Sequence, residues 1–149
     1  MPLDTALART LVAELSALHA ATPLLRPDAA IVYEHDDLVD ASDVETEVRI
    51  APDTFTHERQ ARNVWSSNAT LLVTIEGRQQ DNTTAEKPNT QKDIDDWLDF
   101  VDEITNHVKE LRPNGKKAVS IDSEERYDKE LLKTQRLFFS SFTVSYSLI

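Results

Sequence analysis

"LFFSSFTVSYSLI", Leu137–Ile149, carries no charged side chain and holds three of the chain's five phenylalanines. Phe138, Phe142, Val144, Tyr146 and Leu148 share one side of an extended backbone, while Thr143, Ser145 and Ser147 share the other. Successive side chains of a strand point to opposite faces, so this alternation predicts a strand with one buried face. A strand of that kind needs partner strands beside it and a second layer over its apolar side.

Working outward, the partners carry the same two-residue period. "VETEVRI", Val44–Ile50, sets Val44, Thr46, Val48 and Ile50 against Glu45, Glu47 and Arg49. "ATLLVTIEG", Ala69–Gly77, sets Leu71, Val73 and Ile75 against Leu72, Thr74 and Glu76. Shorter strands are expected over Ala30–Glu34 and at "AVSI", Ala118–Ile121. The covering layer reads from steps of three and four. Leu3, Leu7, Leu11, Leu15 and Leu18 form one stripe of a helix that Pro23 and Pro27 stop. Ile94, Trp97, Leu98, Val101, Ile104, Val108 and Leu111 form another, opened by a capping-box-like Thr90 and Asp93 and closed by "RPNG". Exposed loops are expected at about 35–43, 51–68 and 78–92, the second as a flexible arm or an extended hairpin, and a charged connector over Asp122–Arg136. The expectation is one α+β domain over 1–149 in the order α-β-β-β-α-β-β. Its largely antiparallel sheet of four to five strands is packed on one face by two helices.

At 149 residues, with 40% apolar and 29% charged residues, the chain suits a single core. The absence of cysteine excludes a disulfide framework, a thiolate nucleophile and a thiolate zinc site. Sixteen basic against twenty-seven acidic residues leave a net charge of -11, the wrong sign for gripping phosphates. No apolar run spans a bilayer and "MPLDTALART" lacks the pattern of a secretory leader, so neither export nor a membrane partner is expected. Without export, the sequons at Asn68 and Asn82 carry no meaning.

Two glycines, Gly77 and Gly115, cannot build a phosphate loop, a dinucleotide fingerprint or a nucleophile elbow. No cofactor is expected. The four histidines stand apart; only "EHDD", Glu34–Asp37, puts one among carboxylates, where a metal site would need a further partner and an acidic surface loop is the commoner explanation. "DIDDWLDFVDE" gathers Asp95, Asp99 and Asp102 near one helical face, beside Asp96 and Glu103; either a solvated face or paired acid-base carboxylates fits. Trp97 belongs to the core stripe, and Trp65, expected in a loop, is the candidate for contact with a partner, with local packing as the alternative. Charge is segregated: Glu34–Glu47 and Asp93–Glu103 hold acids without a base, whereas Lys109–Arg136 has eight bases against six acids. That separation would suit head-to-tail association of identical copies, although an ordinary charged surface is the commoner reading of such a pattern.

In order and length, the first helix, "VETEVRI", "ATLLVTIEGRQQ", "DIDDWLDFVDEITNHVKEL" and "YDKELLKTQRLFFSSFTVSYSLI" resemble the tail-terminator proteins of long-tailed bacteriophages. Tyr127-Asp128 and Phe139-Ser140 stand where the family has its Tyr-Asp and Phe-Ser pairs. The resemblance implies a structural virion protein with no catalytic, cofactor or metal site. It would be made in the host cytoplasm, form a typically hexameric ring that caps the tail tube, end tail polymerisation and meet the head connector. DNA would pass through without specific binding, and Asp36, Asp37, Asp40 and Asp43 are the candidate lumen-facing acids. Trp65, Arg78, Gln80, Thr143 and Ser145 are the candidate partner contacts, the last two because the edge or outer face of the closing strand could meet a neighbouring copy. The alternatives are another neck or tail-tube protein, a small hydrolase using carboxylates such as Asp99 and Glu103, and a monomeric binding module using the Arg78–Lys92 loop.

Overall fold

The computed structural model describes residues 2–33, 46–78, 91–123, 125–135 and 137–148, with backbone alone at 78, 91–93, 134 and 135. In chain order they form α1 (Leu3–Ala21), β1 (Ala30–Tyr33), β2 (Thr46–Ala61), β3 (Val64–Arg78), α2 (Gln91–Glu110), β4 (Ala118–Asp122), α3 (Lys129–Gln135) and β5 (Leu137–Ser147). The five strands make one sheet in the order β1-β2-β3-β5-β4. Every pairing is antiparallel except β1 with β2, which run parallel. The α+β expectation holds as a mixed sheet.

Register puts the alternating residues on a shared face. Val48 and Ile50 on β2 pair with Ile75 and Val73 on β3, and Val73 and Leu71 pair in turn with Phe142 and Val144 on β5. All seven are buried, and the helices supply Leu7, Leu11, Leu15, Trp97, Phe100 and Ile104 to the same cluster. Along β5, Phe138, Ser140, Phe142, Val144 and Tyr146 are buried while their neighbours are half-buried. In α1 the stripe shifts, since Ala8 is buried and Leu3 is 63% exposed. Leu3 lies in the first turn, ahead of the stretch the sheet covers.

Three expectations change. The closing strand is no edge, because β3 lies along one side of β5 and β4 along part of the other. Beyond β4 the connector takes over: Asp128 N–H donates to the Phe139 carbonyl at 2.8 Å, and Ser123 Oγ donates to that of Ser141 at 3.3 Å. The connector also contains a third helix, α3, whose first turn is capped by Asp128 Oδ1 accepting from Leu131 N–H at 3.1 Å. And the 51–68 segment is not a loop. β2 and β3 continue through it as a hairpin that turns at Arg62 and Asn63, with Asn63 at φ 65°, a left-handed conformation asparagine tolerates well. Thr90 lies outside the described residues, as does the Asp93 side chain, so the capping box does too.

One close approach fixes the layer spacing. Trp97 stacks on Phe138 at 4.8 Å between centroids and 11° between planes, and the Arg26 guanidinium lies 3.4 Å from the centre of the indole. Gly77, paired with Phe138, faces the indole edge so closely that a Cβ there would sit 1.9 Å from Trp97 Cη2. Only glycine leaves room for the ring. Gly77→Ala should therefore lower stability by roughly 1–3 kcal/mol through overpacking, and Trp97→Ala by about 3–5 kcal/mol through the cavity it leaves. Urea unfolding checks both; the double variant should cost less than the sum, because removing the indole removes the clash.

Candidate assembly surface

β5 pairs with β3 no further than Ser147 with Asn68, apart from one bond from Leu148 N–H to the Ser67 carbonyl, and β1 pairs with β2 only over Glu47–Ile50. Past that point, among the described residues, β2 and β3 have only each other. Their ribbon reaches from the Thr56–Asn68 pair to the turn, roughly 15 Å at the ordinary rise of a strand. A register shift between Pro52 and Thr54 marks where the sheet gives way to this arm, as a bulge re-aims a strand. The sequence hid it because the β2 strand of the ribbon is polar and exposed beyond Phe55, leaving no two-residue apolar period.

By alternation along β3, Trp65 and Ser67 continue the helix-side face that Ala69 and Leu71 occupy below. Register puts Arg59 across from Trp65, His57 across from Ser67 and Phe55 across from Ala69. Phe55 packs on the edge of the core and meets His57 edge-on at 4.6 Å, and His57 Nδ1 lies 2.7 Å from Ser67 Oγ. Past them, among the described residues, no helix covers the ribbon. Trp65 is 58% exposed and Val64, facing the other way, 51%. On that other face Gln60 Nε2 donates to Ser66 Oγ at 2.9 Å, stiffening the ribbon.

Trp65 is thus exposed as anticipated, on a strand rather than in a loop. Thr143 and Ser145 lie on the outer sheet face, opposite the helices; Ser145 Oγ is 3.2 Å from Thr70 Oγ1, and Thr143 Oγ1 donates to the Asp122 carbonyl at 3.4 Å. They and Trp65 therefore form no single site. Arg78 ends β3 with its backbone paired to Leu137, and its side chain lies outside the described residues. Asp36, Asp37, Asp40, Asp43 and Gln80 also lie outside them, as does "EHDD". The outer face further holds Arg49 between Glu47 and Glu76, two carboxylates in directly opposed register that the guanidinium keeps from repelling.

The acidic helix presents its carboxylates to solvent. Asp95, Asp96, Asp99 and Asp102 are exposed; Asp102 pairs with Arg126 at 2.9 Å, and Glu103 Oε1 accepts the Leu25 N–H at 2.9 Å. Among the described residues no group of three or more histidine, aspartate or glutamate side chains is placed to hold a metal ion. Tyr127-Asp128 and Phe139-Ser140 do come together: Tyr127 stacks near Phe138 at 5.8 Å, and Ser140 Oγ donates to the Arg126 carbonyl at 2.6 Å. Both pairs pin β5 to the connector. Sequence reading missed a hollow of about 340 Å³ between the Leu25–Asp28 turn and α2, lined by Leu25, Arg26, Pro27, Asp28, Asp96 and Asp99.

No protein-family model and no curated protein matches the sequence. Among the described residues no helix is long and apolar enough to cross a membrane.

One buried hydroxyl stands apart from these surfaces. Tyr146 is fully buried, and its hydroxyl has no hydrogen-bond partner among the described residues; nor has the buried Oε2 of Glu14. Burial first, and the nearby Glu14 carboxylate second, push the Tyr146 phenol well above its ordinary value. The fold thus favours the neutral phenol. Its contribution is complete below the unfolded value of about 10 and is lost as pH rises above that toward the folded value. Tyr146→Phe should be neutral or stabilising near pH 7, because it removes a hydroxyl that forms no bond, and should flatten the loss of stability above about pH 10. Urea midpoints of both proteins at the two pH values decide it; a large loss at neutral pH would mean the hydroxyl has a partner.

Proposed function

We propose that this chain is a ring-forming structural protein of the tail-terminator kind, one that caps a tail tube, halts its growth and offers a face to the head connector. The observation that carries the reading is the bare arm. A domain whose core is otherwise covered holds a two-stranded ribbon out into solvent with Trp65 exposed on it. Exposed aromatics on a stiff projection are what association surfaces are built from. The resemblance in element order and the two residue pairs at β5 point to the same kind of part. The net charge of -11 suits a ring through which DNA slides without sticking. Asp36, Asp37, Asp40 and Asp43 remain the proposed lumen acids, with a hexamer as the proposed ring, the tail-tube and head-connector proteins as partners, and the virion neck as its place.

Purified protein should form rings of one size by light scattering and negative-stain imaging, and should bind the ends of tail tubes rather than their sides. A chain that stays monomeric at all concentrations, with and without tubes, would contradict the reading.

A further inference from the structure

The arm tip and the hollow beside α2 lie at opposite ends of the same hairpin. Thr46, at the start of β2, pairs with Gly77, on which Trp97 rests, and its Oγ1 donates to Asp28 Oδ2 at 3.3 Å. The hollow therefore sits at the base of the hairpin, and the turn at Arg62 and Asn63 is its far end. Between them run the residues of β2, Thr46–Ala61, roughly 50 Å at the rise of a strand. One copy cannot fold its own tip into its own hollow.

The two ends are chemically complementary. Register gives the Trp65 face of the arm Phe55, His57 and Arg59 and no acid, while the acidic Glu58 points to the opposite face; Arg62 stands at the tip. The hollow offers an exposed apolar side chain in Leu25, the ring of Pro27 and three carboxylates in Asp28, Asp96 and Asp99. Its one cation, Arg26, is already laid on the Trp97 indole, and the Leu25 N–H is held by Glu103, so the hollow is preformed. Its volume of about 340 Å³ admits an indole with a guanidinium beside it.

We infer that the hollow between the Leu25–Asp28 turn and α2 receives the arm tip of a second copy, with Trp65 seated on Leu25 and Pro27 and with Arg59 and Arg62 facing Asp28, Asp96 and Asp99. This rests on the ring reading and names its interface. Donor and acceptor at opposite ends of one chain make a head-to-tail contact, and such contacts close into rings when the rotation between copies allows.

Charge reversal tests it, with oligomer mass read by sedimentation velocity and folding checked by circular dichroism. The paired changes Arg59→Glu with Arg62→Glu, and Asp96→Arg with Asp99→Arg, are at exposed positions and should leave the fold intact. Each pair should raise the concentration for half-assembly by about tenfold or more, and all four changes in one chain should restore assembly. Trp65→Ser should weaken assembly with every charge in place. Wild-type rings alongside reversed variants that assemble normally, or a four-fold variant that stays dissociated, would overturn this interface and leave the ring reading standing. Variants that keep the ring and lose only tube binding would likewise overturn it, assigning the arm to another protein. A monomeric wild type would overturn both.

Discussion

The seat of Trp97 on Gly77 decides how the layers meet. The indole stacks on Phe138, carries the Arg26 guanidinium and fills the space that the missing Cβ of Gly77 leaves. Four parts of the chain are joined there: β3 through Gly77, β5 through Phe138, α2 through Trp97 and the turn after α1 through Arg26. Helix α2 therefore stands at one fixed height over the sheet. The hollow lies between it and the Leu25–Asp28 turn.

From this anchor the hairpin of β2 and β3 works as a lever. Its lower half is a sheet centre, with Val48, Ile50, Leu71, Val73 and Ile75 fully buried. The upper half is held by ladder bonds and a few side-chain contacts across the ribbon, and puts Trp65 into water. The same two strands thus build the core and project the surface proposed for assembly. Because the core end is locked by Trp97, the position of the tip is set by the sheet rather than left to a flexible loop.

Much of the sheet was legible because burial writes a two-residue period into a strand. The alternation along Leu137–Ser147 and the run from Thr46 to Ile50 gave both strands and their buried faces, and steps of three and four gave the stripe of α2. What stayed hidden had no such imprint. The upper half of β2, "PDTFTHERQA", is exposed on both sides, so nothing in it distinguishes strand from loop. Helix α3 is only seven residues long and shows one buried leucine, Leu132. The parallel pairing of β1 with β2 is a long-range contact that no local period encodes. Gly77 was visible as the end of a strand, but its partner Trp97 lies twenty residues away, a contact no local pattern encodes. Trp65 is exposed, but on a strand rather than as the loop aromatic its sequence context suggested.

Because Trp97 is buried in every copy, the fluorescence of Trp65 reports on the arm against a constant background. Emission and acrylamide quenching followed while the protein is concentrated through its assembly range test the central claim most directly. The account predicts that emission moves to the blue and quenching falls in step with the rise in mass, as the indole leaves water for a neighbour's hollow. Rings that form while Trp65 stays as open to quencher as in the monomer would contradict it.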